Sequence, residues 1–347
     1  MKSWARRIRA RPIVRKRNSM KCCIVGAGSS GGHLAVKLRR SGHDVSVVAR
    51  GAQLAAIRSG GLALEQAGEI LSADVRASDH AADLGHQDLV FVTTKATALG
   101  SVAEHLRPLI GRDTAVAFLQ NGMTWWYPTG LPSACPAPPA LPIFGLTDLF
   151  LGMMRPDQVL GGIVYTANEV VRPGLVRNNS PRKNDIELAS IDGRETDILR
   201  DARNALSQAG LESPPLEDIR SALWLKLVGN ASASSLCVVT GNPSAIVQDP
   251  AIQALFMRML RECTDIAAAH GYPVADQLDL SRWTQHRSQH KPSMLQDYEA
   301  GRTMEIEQIF LAPVMFARAA GLDTPTLDAI TAVAARLAAD KGLHQVA

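Results

Sequence analysis

Short, wholly apolar runs alternate with amphipathic stretches over the first half of the chain, and helical periodicity fills the second half. Cys22-Cys23-Ile24-Val25 holds no charged or strongly polar position, the pattern of a strand buried on both faces. Residues 33–40 follow with Leu34 and Leu38 at helical spacing, Ser41-Gly42-His43 closes that helix, and 45–49 is a second apolar strand. The runs 88–94, 114–119, 161–169 and 174–177 predict further strands. Residues 197–209 predict a helix with Thr196 as its N-cap and Gly210 as its stop. From Leu216 onward the pattern is mostly helical. Asp249-Pro250 opens a helix that ends at Gly271. Residues 303–320 predict another, kinked by Pro313, and a last one follows Pro325 and ends near Gly342.

Composition narrows the class. The chain has 347 residues, 46% hydrophobic and 20% charged, enough to bury two cores of ordinary size. It has no uninterrupted run of about 18 apolar residues, so no transmembrane span is expected. The five cysteines are scattered and show no metal-ligand spacing, so neither a disulfide framework nor a metal site is expected, and a reducing, cytoplasmic setting follows. The net charge of +4 is unevenly placed. Residues 1–19 hold eight Lys and Arg and no acid, so the rest of the chain is −4 and offers no basic surface for nucleic acid. Three readings fit that tail: a start site set too early with Met20 as the true start, a disordered extension, or an organelle-targeting segment.

The first apolar strand runs into Gly26-Ala27-Gly28-Ser29-Ser30-Gly31, then a helix and a second strand. This is the setting in which G-x-G-x-x-G marks a dinucleotide site. Gly26 permits the tight turn, Gly28 lets backbone approach a pyrophosphate, and Gly31 lets helix and strand pack closely. Free N–H groups at the helix start receive the phosphates. The second strand ends in Arg50-Gly51 where an NAD-binding chain carries an acid; a guanidinium there suits a 2′-phosphate, so NADPH is expected. Lys95 and Asn121 stand at the ends of two further strands, where open sheets bind ligands, although either also fits a loop cap.

In the middle of the chain, 128–142 holds six prolines and follows Trp125-Trp126-Tyr127. It reads as a surface excursion near the cofactor site, with the tryptophans exposed; a lid, a homodimer contact or a packed loop all fit. Further on, Lys226 and Asn230 lie one turn apart in an apolar helix, with Ser234 on the same face. A lysine there either snorkels to the surface or faces a functional cleft.

Taken in order and spacing, these stretches resemble the ketopantoate reductases across residues 20–347. The matched stretches are 24–31, 48–51, 120–123, 219–227 with Asn230, and 293–297 followed eight residues later by Glu305. The resemblance implies an α/β N-terminal Rossmann-like dinucleotide-binding domain, 20–215, followed by an all-helical C-terminal domain, 216–347, with the active site between them. It implies NADPH-dependent reduction of a 2-oxo acid to a 2-hydroxy acid, with ketopantoate going to pantoate for pantothenate and coenzyme A synthesis. On this reading Lys226 is the general acid and Glu305 lies near nicotinamide ribose and substrate. Asn121 sits between cofactor and substrate, Asn230 and Ser293 contact substrate, and Lys95 lies near the cofactor.

The match departs from the family at two positions. The family's asparagines four and fourteen residues after Asn230 are Ser234 and Ser244 here, shorter groups that lose or water-bridge those contacts. A different, more apolar 2-oxo acid is therefore an alternative substrate. An imine-reducing, opine-type reaction and a non-catalytic NADPH-binding sensor are further alternatives; Lys226, Asn230 and Glu305 together argue against the sensor.

Overall fold

The computed structural model describes residues 19–285 and 291–344; the basic tail, except Ser19, lies outside the described residues. The chain begins β1 (Lys21–Val25), α1 (Ser29–Arg40), β2 (Asp44–Val48), α2 (Gly51–Gly60), β3 (Leu62–Gln66), β4 (Glu69–Ala73), β5 (Arg76–Ser78) and β6 (Leu89–Val92). It continues α3 (Leu99–Leu106), β7 (Ala115–Phe118), α4 (Thr147–Leu151), β8 (Val159–Val164), β9 (Asn168–Arg172), β10 (Leu175–Asn178), β11 (Ile186–Ser190) and α5 (Asp197–Gln208). The helical half holds α6 (Ile219–Thr240), α7 (Ala245–Gln248), α8 (Pro250–Ala269), α9 (Ser281–Thr284), α10 (Ser293–Glu299), α11 (Ala312–Ala319) and α12 (Pro325–Asp340).

Seven strands form the main sheet in the order β11-β8-β7-β6-β1-β2-β5. All pairs are parallel except β11 on β8. From β1 the chain runs outward to β2 and β5, then returns to β6 on the other side of β1. That reversal is where an open sheet opens a crevice beyond its carboxyl ends. The unbroken apolar character of β1 has a direct cause. Cys22 and Ile24 enter one buried core while Cys23 and Val25 enter the other, so both faces of the strand are covered.

A second sheet, β4-β3-β10-β9, was not legible as a separate unit. The run expected as one strand over 161–169 divides: β8 ends at Val164, and β9 starts at Asn168 in the other sheet. α1 packs between the two sheets, and a Cβ on Gly32 would stand 2.6 Å from Val176 Cγ2. His33 is buried between the side-chain amides of Asn168 and Asn178, at 3.4 and 3.3 Å. Burial lowers its pKa to about 3, so it is neutral.

The expectation for the aromatic segment is overturned. Trp125, Trp126 and Tyr127 are fully buried, which removes the exposed-tryptophan argument for a homodimer contact there. Phe118 packs edge-to-face on Trp125 at 5.0 Å between ring centres, and Phe150 lies tilted against it at 4.7 Å. Buried Arg220, at the start of α6, donates to the carbonyls of Tyr127 (3.0 Å) and Ile191 (3.2 Å) and also to Thr129, so the segment is bolted to the helical half. The proline-rich stretch 128–142 that follows lies at the surface, as expected, but it leaves from this core anchor.

α6 is long and apolar enough to cross a membrane by composition, yet most of it is buried in the protein core. The helix expected over 303–320 also changes form. Its first part, Glu307–Leu311, is a π-turn that hands over to α11. Pro313 donates no N–H and crowds the carbonyl four residues back, and the wider turn accommodates both effects. All five cysteines are free.

Candidate active site between the two halves

Gly28 is the N-cap of α1 and no side chain caps the helix, so its first N–H groups are open. Gly26 has φ +100°, and a Cβ there would stand 2.7 Å from Thr94 Cγ2. A Cβ on Gly31 would collide with the carbonyl oxygen of Gly26, whereas one on Gly28 meets nothing within 4 Å. The three glycines thus divide the work as their spacing predicts: turn, open approach and close packing. With Ala27, Ser29 and Ser30 they form a cradle whose free N–H donors fit a pyrophosphate.

An open cleft of about 320 Å³ runs from Gly26 and Gly28 past Arg50 to Val102 and His105 of α3. Arg50 precedes α2 and is exposed, and among the described residues its guanidinium has no ion pair. Asp79 also lines this cleft, but it faces Arg58 at 3.5 Å. An unpaired guanidinium at the end of β2 fits a phosphate.

Beyond the carboxyl end of β6, the loop 93–98 meets the helical half. Lys95 Nζ lies 2.7 Å from Asp297 Oδ2 and donates to the Thr303 carbonyl at 2.5 Å. Asp297 also accepts from Arg302 at 2.9 Å. The Ala96 N–H donates to Glu305 Oε1 at 2.8 Å. After β7, Met123 N–H donates to the Gln308 carbonyl at 2.8 Å. Gly122 has φ +80°, and a Cβ on it would lie 2.5 Å from that oxygen, so the loop bearing Asn121 rests directly on the π-turn.

Lys226 comes from the middle of α6. Its ammonium donates to the Val164 carbonyl at the end of β8 and lies 5.4 Å from the Tyr165 ring centre. Burial lowers its pKa to about 8, against the opposing charges of Glu305 and Glu187. Burial raises the pKa of Glu305, while the Ala96 N–H, Lys95 and Lys226 all favour its charged form. Glu305 is therefore coupled electrostatically to both Lys95 and Lys226.

The remaining expected residues divide. Asn230 and Ser234 extend the Lys226 stripe at one and two turns along α6; Asn230 is half-buried, and buried Ser234 has no hydrogen bond among the described residues. Asn121 is half-buried beside the π-turn. Ser244 stands apart, past the end of α6, where it precedes α7. Ser293 is exposed at the first residue of α10. Sequence reasoning missed Tyr165 because one long strand was expected to run through it. It missed Trp283, whose ring would lie 2.7 Å from a Cβ on Gly229, because nothing local marks that pairing.

Two family models match the chain: "Ketopantoate reductase PanE/ApbA" over residues 22–128 and its C-terminal counterpart over 218–338. A 2-dehydropantoate 2-reductase of Mesorhizobium japonicum is 37% identical, covering 94% of this chain and all of that one. The solved 2-dehydropantoate 2-reductase of Geobacter metallireducens superposes with a TM-score of 0.78 at 25% identity, covering 91% and 99% of the two chains. A D-mandelate dehydrogenase solved with NADH and anilino(oxo)acetate shares the fold, with a TM-score of 0.78 at 20% identity over 94% and 100%. Given a glycine cradle at the sheet reversal and these matches over both halves, the chain belongs to the ketopantoate reductase family and is an oxidoreductase.

Proposed function

We propose that this protein reduces 2-dehydropantoate to pantoate with NADPH, in the cleft between its two halves. The observation that carries the reading is half-buried Lys226, which donates to the Val164 carbonyl at the end of β8, has a pKa lowered to about 8 and is electrostatically coupled to Glu305. The bound nicotinamide dinucleotide supplies a hydride to the keto carbon. Lys226 stabilises the charge that grows on the keto oxygen and donates the proton that makes it a hydroxyl. A lysine with a pKa of about 8 keeps most of its proton at neutral pH and releases it more readily than an ordinary lysine. Glu305 holds the 93–98 loop through Ala96, and its carboxylate, when ionised, raises the pKa of Lys226. Asn230 offers its amide one turn along α6. Arg50, unpaired in the mouth of the cleft, favours NADPH over NADH. A cytoplasmic, pantothenate-forming role follows from the same reading, as does a homodimer of the kind described for a dimeric ketopantoate reductase of Staphylococcus aureus.

A second reading rests on Ser234. Its hydroxyl has no partner among the described residues, and it offers less to a hydroxylated substrate than the family's asparagine. A more apolar 2-oxo acid would then be the preferred substrate. NADPH oxidation measured with ketopantoate and with a panel of 2-oxo acids decides between them. A kcat/KM for ketopantoate above about 10⁴ M⁻¹s⁻¹ and above the panel supports the first reading. Faster turnover of an apolar oxo acid supports the second, and no turnover of any oxo acid removes both.

A further inference from the structure

We infer that Gln53 is a positioning residue: it ties the glycine-rich loop to the second sheet and so aims the Gly28 N–H at the dinucleotide pyrophosphate. The inference rests on the dinucleotide reading of the cleft and assigns a role to a residue that the sequence motif does not contain.

Gln53 lies in the first turn of α2, three residues after Arg50, and lines the cleft. Both ends of its side-chain amide are used. Nε2 donates to the Ala27 carbonyl at 2.6 Å, and Oε1 accepts from the Gly174 N–H at 3.1 Å. Gly174 sits in the Pro173-Gly174 turn between β9 and β10, with φ +79°. Its carbonyl accepts from Ala63 N–H of β3 at 2.8 Å, and a Cβ on it would stand 3.3 Å from Ala56 Cβ of α2. The turn is therefore held by α2 and β3 as well as by Gln53.

Peptide planarity supplies the link to the ligand. The Ala27 carbonyl and the Gly28 N–H belong to one peptide unit and point in opposite directions in a trans bond. Fixing the carbonyl toward Gln53 turns the N–H away from it. The Gly28 N–H makes no hydrogen bond to a described residue, and the space around Gly28 is open. A loop this rich in glycine has little conformational preference of its own. The side-chain tether replaces that missing preference.

The test compares dissociation constants for NADPH and NADH, read by fluorescence, in the full-length protein and its variants. Both dinucleotides carry the pyrophosphate, so Gln53→Met is expected to weaken both by the same factor, about tenfold for a lost part-buried hydrogen bond. Gln53→Glu keeps an acceptor for Gly174 but sets an oxygen against the Ala27 carbonyl, so it is expected to weaken both further. Unchanged affinities with a lowered melting temperature would show a merely structural tie and overturn the inference. Loss confined to NADPH would place Gln53 at the 2′-phosphate and overturn it equally. Should the variants fail to fold, hydrogen exchange of the wild-type protein serves: NADPH is expected to slow exchange at the Gly174 amide together with the 26–31 loop, and an unaffected Gly174 amide refutes the proposal. Wild-type protein that binds neither dinucleotide would instead remove the underlying reading of the cleft.

Discussion

Glu305, from the helical half, accepts the backbone N–H of Ala96, from the loop after β6, at 2.8 Å. One carboxylate thus ties the helical half to the loop after β6, and when ionised it raises the pKa of Lys226. Glu305→Gln keeps an acceptor for Ala96 but removes that charge. Because Glu305 holds the Lys226 pKa up, its loss moves the alkaline limb of the reduction below about pH 8. A fall in kcat/KM of about 100-fold is expected with it, read from steady-state pH profiles.

Lys226 must hold its proton to act as the acid. It does so below its pKa of about 8 and loses it above. The reduction rate is therefore expected to be level on the acid side of that value and to fall with rising pH beyond it. Lys226→Ala removes the limb and lowers kcat by about 10²- to 10⁴-fold. Dinucleotide affinity, measured by fluorescence titration, stays within a few-fold of wild type; a collapse of affinity instead would recast Lys226 as a binding residue.

Arg50 lines the cleft and has no ion pair among the described residues, and the proposed preference for NADPH rests on it. Arg50→Ala is expected to raise the dissociation constant for NADPH by about 10- to 100-fold, the scale of a lost charge-assisted contact, and to leave that for NADH nearly unchanged. Calorimetric titration with both dinucleotides reads the difference. Equal losses for the two would contradict the assignment.

Trp125 is fully buried against Phe118 and Phe150. Trp125→Ala is expected to cost about 3–5 kcal/mol of stability, the range for a large aromatic removed from a core. Denaturant unfolding measures it; a loss below about 1 kcal/mol would mean the segment is peripheral after all.

The main sheet was legible because β6, β7 and residues 22–25 of β1 are buried apolar runs with no polar interruption, and because the glycine motif directly follows β1. The second sheet was not. β3 reads Leu-Ala-Leu-Glu-Gln, a pattern with many outcomes, and it pairs in parallel with β10 more than a hundred residues later. Local periodicity carries no record of such a pairing. Lys226, Asn230 and Ser234 were legible as a stripe because one unbroken helix carries them. The link from Ala96 to Glu305 was invisible because one partner is a backbone N–H, which every residue other than proline possesses. The tryptophans misled because neighbouring prolines suggested surface, while the anchor that buries the segment, Arg220, lies ninety residues on.

The π-turn at Glu307–Leu311 makes this stretch sensitive to residue count more than to residue type. Each residue advances an α-helix by about 100°. A wide turn holds one residue more than a standard one, so deleting a single residue between Ile306 and Leu311 would let the helix close into regular form. With α11 fixed by its packing, everything upstream would swing by roughly that angle. Glu305 would leave Ala96, and the Gln308 carbonyl would leave Met123. The register of Glu305 is thus kept by a surplus residue, and side-chain exchanges along the turn leave that phase intact where a one-residue deletion erases it.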